Sequence, residues 1–171
     1  MPIVSRASPY QGVLLYSECM QLPRRDLLRL ATAAPVALVV DGLGRAAEIE
    51  FHDVESQSRQ FMHWHSTIQL TPAQESVKKS ALEGLPAPCC SDNSAYTCCC
   101  QCNISRTIWG LSQYMIAEQG ATAEQVAAKV QKWVAFIAPN GFSGSACYSR
   151  GCARPFNSDG CGGMSADHLV L

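Results

Sequence analysis

Residues 88–102, PCCSDNSAYTCCCQC, hold six cysteines in fifteen positions. So many thiols in so short a segment leave three chemistries: structural disulfides, a metal site or thiol redox exchange. Neighbours cannot bridge one another, because consecutive Cα atoms lie about 3.8 Å apart, below the usual disulfide range of about 4.4–6.8 Å. Every cysteine here therefore needs a partner across a loop or elsewhere in the chain. Downstream there are three more, Cys147, Cys152 and Cys161, in a Gly- and Ser-rich tail that cannot build a core of its own. Such a tail must be held by cross-links, by a metal or by packing.

The remaining cysteine, Cys19, lies in a segment of a different kind. Arg24 and Arg25, followed by Leu27, Leu28 and Arg29, precede the apolar run of residues 30–40. This resembles a bacterial twin-arginine export signal, although Pro23 departs from the usual residue before the pair. At eleven residues the run is too short to span a bilayer core of about 30 Å. The expected leader covers residues 1–46, with Met20 an alternative start and cleavage after Ala46. The resemblance implies a periplasmic or otherwise extracytoplasmic location and a chain that folds, often around a cofactor, before export. Residues 47–171 then form a single cysteine-rich domain with no membrane span expected.

That domain keeps nine cysteines, an odd number, so they cannot all pair within one chain. Thiolate is a soft ligand that selects Cu(I), Zn(II) or iron–sulfur clusters. In an extended chain Cys98, Cys100 and Cys102 face one side and Cys99 the other. Cys102 also abuts a helix start, where the helix dipole favours thiolate. Cys89 and Cys90 can complete the coordination from across the loop, and Cys147, Cys152 and Cys161 supply a second set. His63 and His65, in HWH, share a face if their segment is extended and join the candidate ligands. Otherwise they are two histidines flanking a buried Trp64. Cys99 and Cys102 form a C-x-x-C pair before a helix, as in thiol oxidoreductases, but the strands of a thioredoxin-like fold are missing.

The rest of the domain reads as mainly helical. Thr71, Pro72 and Gln74 open a helix that Gly84 ends. Ile104, Ile108, Leu111 and Met115 mark one face of a second, capped by Asn103 or Ser105 and ended by Gly120. Thr122 and Gln125 form a capping box for a third, with Val126, Val130, Trp133 and Ile137 on its apolar face. The short link between these last two predicts a helical hairpin core, flanked by irregular cysteine-rich loops. Residues 47–54 read as a short extended arm, and residues 61–70 as extended too.

The run Cys98-Cys99-Cys100-Gln101-Cys102 is similar to the C-x-C-x-C core of bacterial exported proteins named for a PCYCGC motif, with Thr97 in place of proline. That resemblance implies an exported, thiol-rich, metal-linked protein and names no activity. Cys89, Cys90, Cys99 and the Gly-rich tail depart from its pattern. A net charge of −1 and no basic patch exclude nucleic acid as the main partner. Nucleophile-elbow, P-loop, zincin and dinucleotide fingerprints are missing, so a non-enzymatic role is expected. The expectation is a metal-binding protein for storage, delivery or electron transfer. Its alternatives are a disulfide-stapled accessory subunit of a larger exported complex and a thiol oxidoreductase.

Overall fold

The computed structural model describes residues 48–171; the expected leader lies outside them. The fold is mainly α, with four helices: α1 (Val54–Thr67), α2 (Pro72–Glu83), α3 (Asn103–Gln119) and α4 (Ala123–Ile137). Between α2 and α3 stands a small antiparallel pair, β1 (Pro86–Ala87) and β2 (Cys90–Ser94), with an irregularity between Pro86 and Ala87. Two short 3₁₀ turns, Gly151–Ala153 and Phe156–Ser158, follow α4 in the tail.

Local chemistry sets the helix ends as the sequence indicates. Thr71 caps α2 in a full capping box with Gln74, and Pro72 takes the first turn. Thr122 and Gln125 do the same for α4. Gly120 closes α3 in the left-handed conformation, at φ 61°, where a Cβ would be strained.

The helical core is larger than a hairpin. Helix α3 packs chiefly on α1 and also meets α2 and α4. It is buried nearly all round, from Asn103 through Ile116, as a central helix should be. Its polar side chains therefore need internal partners. Ser112 donates to the Ile108 carbonyl at 2.7 Å, and Thr107 accepts from Trp133 Nε1 at 3.0 Å. Trp133 is fully buried among Phe51, Phe61 and Phe136, with ring centroids 4.9–5.9 Å away. Phe51 stands in the short non-helical arm of residues 48–53, which Lys129 holds by bonding Glu48 and the Ile49 carbonyl.

Residues 61–70 correct the reading from sequence: most of them belong to α1 rather than to an extended segment. Asp53 caps that helix, accepting from the Ser56 N–H at 2.6 Å, and Gln57 folds back to accept from the N–H groups of His52 and Asp53. The buried stripe is Gln57, Ser58, Phe61 and Met62. Half of it is polar, so apolar periodicity does not reveal it. Gly110 of α3 lets the two helices touch, since a Cβ there would overlap the Phe61 carbonyl.

Candidate metal centre

The loop after β2 reaches Cys98–Cys102 through a run of bends, and Cys102 occupies the N-cap of α3. The cap residue is thus the cysteine, not Asn103 or Ser105. Asn103 instead secures the tail. It is fully buried, and its Nδ2 donates to the carbonyls of Gly162 and Ser165 at 2.8 and 2.9 Å. The first free N–H groups of α3 also go to the tail: Asn103 N–H donates to Gly163 and Ile104 N–H to Cys161. These bonds satisfy donors that a helix start leaves open. On the other side, Ser91 N–H donates to Gly144 and Cys147 N–H to Cys89. The tail is thereby laid across both the hairpin and the helix start, which carries Cys147, Cys152 and Cys161 to the loop.

Eight thiols converge as a result. Four triples have sulfurs within 4.8 Å of one another: Cys89/Cys102/Cys161, Cys98/Cys100/Cys102, Cys99/Cys100/Cys147 and Cys147/Cys152/Cys161. The third is a near-equilateral triangle, each edge 3.9 Å. Closer still are Cys89 and Cys147 at 3.5 Å and Cys152 and Cys161 at 3.3 Å. All nine described cysteines are free thiols. Burial is graded: Cys99 is exposed, Cys98, Cys100, Cys147 and Cys152 are half-buried, and Cys89, Cys102 and Cys161 are inaccessible.

The electrostatics centre on Cys102. Hydrogen bonds from Cys161, then Cys89 and Cys98, hold its thiol well below the usual range. The same bonds push Cys89, Cys98 and Cys161 up. Desolvation is the main cause of the upward shifts at Cys100, Cys152 and Cys99, the last reaching about 11. Ionisation is thus favoured at Cys102, while the Cys89, Cys98 and Cys161 thiols around it hold their protons more firmly. A metal cation can replace those protons, because thiolate is the ligating form. The clustered cysteines can hold a metal.

Seven of the eight thiols were expected as ligands; Cys99 was not. A pleated chain would turn Cys99 away from the others, whereas bends bring it back toward Cys100 and Cys147. Cys90 is buried but stands outside the four triples, and its sulfur accepts from Asn93 Nδ2 at 3.2 Å. His63 and His65 lie on α1, two residues and so about 200° apart around the axis. They do not share the face an extended chain would give them. His65 Nδ1 pairs with Gln113 Oε1 at 2.8 Å, while His63 is exposed. The C-x-x-C cysteines are also separated, Cys99 and Cys102 falling in different triples.

An apolar groove of about 490 Å³ lies beside the hairpin, lined by residues such as Leu85, Ile108, Val130, Val134 and Phe142. None of its lining residues is titratable, so it offers no acid–base chemistry. Compared with models of known families, with curated proteins and with solved structures, the chain shows no match. No helix among the described residues is long and apolar enough to cross a membrane.

Proposed function

We propose that this chain is an exported protein that binds a soft metal ion, Cu(I) or Zn(II), through cysteine thiolates, for storage or delivery. The observation that carries the reading is the triangle of Cys99, Cys100 and Cys147. Three sulfurs 3.9 Å apart surround a point about 2.25 Å from each, close to a metal–thiolate bond of about 2.3 Å. An iron–sulfur cubane for electron transfer fits less well. It seats each terminal thiolate on a different iron with the cluster body between them, whereas these sulfurs touch. The twin-arginine-like leader supports the same reading, since that route suits a protein loaded before export.

The test is anaerobic purification of the full chain with elemental analysis and thiol counting. Copper or zinc bound in a colourless protein is expected. A metal-free protein whose thiols are mostly oxidised would overturn the reading. It would favour the disulfide-stapled accessory subunit, which the close Cys152–Cys161 and Cys89–Cys147 approaches keep as the second reading.

A further inference from the structure

The four cysteine triples are linked to one another. Cys102 belongs to the first and second, Cys100 to the second and third, Cys147 to the third and fourth, and Cys161 to the fourth and first. Each triple then has one member shared with none of the other three: Cys89, Cys98, Cys99 and Cys152. The set closes into a ring that uses all eight thiols. Contacts also run across it, among them Cys89–Cys147 at 3.5 Å and Cys100–Cys152 at 3.9 Å. The ring is therefore folded into a compact knot of sulfur.

Separate mononuclear sites do not suit this arrangement. A single ion takes at most about four thiolates, which leaves half of the knot unused. Two four-thiolate sites would have to divide sulfurs that are already shared between neighbouring triples. A sulfur common to two triples is placed as a bridge between two metals. Three sulfurs around each position also suit Cu(I) better than Zn(II), because structural zinc is almost always four-coordinate.

Resting on the metal-binding reading above, we propose that the eight thiols hold one tetranuclear Cu(I)–thiolate cluster. Cys100, Cys102, Cys147 and Cys161 are its bridging ligands, and Cys89, Cys98, Cys99 and Cys152 its terminal ligands. One ion sits in each triple. Four Cu(I) ions enter as the bound thiols release their protons, and no electron is transferred. The four copper charges leave the eight thiolates with a net charge of −4, beside the positive end of α3 at Cys102.

The test is anaerobic titration of the reduced, metal-free full chain with Cu(I), read by native mass spectrometry and X-ray absorption. Saturation at four ions with a metal–metal scattering shell is expected. Bridged ions stabilise one another, so mid-titration spectra should show mostly empty and four-copper chains. C147S, which removes a bridge, should cost two ions, while C99S, at an exposed terminal position, should cost at most one. Circular dichroism would show whether either variant has lost its helices, and the wild-type stoichiometry decides the matter without them. Saturation at a single ion, or several ions with no metal–metal shell, would overturn the cluster and leave the metal-binding reading standing. Failure to bind any Cu(I) would overturn both.

Discussion

The Cys147 N–H donates to the Cys89 carbonyl at 3.0 Å, and the two sulfurs of these residues lie 3.5 Å apart. A main-chain bond therefore sets the meeting of thiols 58 positions apart. Cys152 and Cys161, 3.3 Å apart, are joined similarly through the tail, where Cys161 N–H donates to Gly151. Mild oxidation of the metal-free protein should form Cys89–Cys147 and Cys152–Cys161 bridges first, and prior loading with Cu(I) should suppress both. Non-reducing peptide mapping reads this directly. Bridges scattered among other pairs would contradict the observed geometry.

Stability should depend on pH above about 9 without metal and hardly at all with it. A thiol with a raised folded pKa is protonated in the folded chain while the unfolded chain ionises near 9. The unfolded state then binds fewer protons, and stability falls as pH rises. Cys99 places that window between about pH 9 and about 11. Cys89, Cys98, Cys100, Cys152 and Cys161 shift the same way. Cys102, with its depressed pKa, adds stability that is complete by about pH 9 and lost only as pH falls below it, so it does not offset the decline above pH 9. Urea denaturation of the metal-free protein should show a midpoint that declines above pH 9. The loaded protein, its ligands already deprotonated, should show little change there.

Asn103 ties α3 to the tail with its side-chain amide, beside the backbone bonds of Asn103 and Ile104. Asn103→Ala strands the buried Gly162 carbonyl and removes a second bond to the more exposed Ser165 carbonyl, and should cost about 1–3 kcal/mol. Chemical denaturation of the metal-free protein checks this. A loss below about 0.5 kcal/mol would mean that the tail is held by other contacts.

Gly110→Ala should be among the most damaging small substitutions, since the added methyl overlaps the Phe61 carbonyl and approaches the His65 amide. Overpacking of this kind costs about 1–3 kcal/mol or more. Gly84→Ala is the matched control, with nothing within 4 Å of the new atom and an ordinary helical φ of −76°. It should be neutral or slightly stabilising. Equal effects from the two would show that α1 and α3 do not cross at Gly110.

Access, more than acidity, should govern thiol labelling in the metal-free protein. Cys102 is the thiol most disposed to ionise, yet it is inaccessible, while Cys99 is exposed despite its raised pKa. A small maleimide should modify Cys99 well before Cys102 at pH 8, as peptide mass mapping would show. Preferential modification of Cys102 would mean that the loop opens readily.

The capped helices were legible because their signals are local. Thr71 with Gln74, Thr122 with Gln125, and Gly120 each act within a few residues of themselves. Helix α1 was not, because its buried stripe includes Gln57, which turns back to bond Glu50, His52 and Asp53, and Ser58, and polar residues break the apolar period. The candidate ligands were legible by residue type, but their arrangement was not. Cys99 joins through chain bends that no residue announces. The tail fits through close backbone approaches, as at Gly162, where φ is 73° and a side chain would strike the Phe156 ring. Neither the His63–His65 pair nor the role of Asn103 followed from spacing, since both depend on which segment becomes helical and what packs on it.

Placing the clustered cysteines on both sides of α3 and α4 has a consequence for biosynthesis. During translation Cys89–Cys102 emerge first, then the two helices, and only afterwards Cys147, Cys152 and Cys161. A partly made chain can present the first thiols but cannot enclose anything between them and the last. Completion of the thiol knot thus reports that the helices between its halves have been made and folded. A chain stalled or misfolded before residue 161 would present an open, incomplete set of thiols that quality-control machinery could tell from the finished protein.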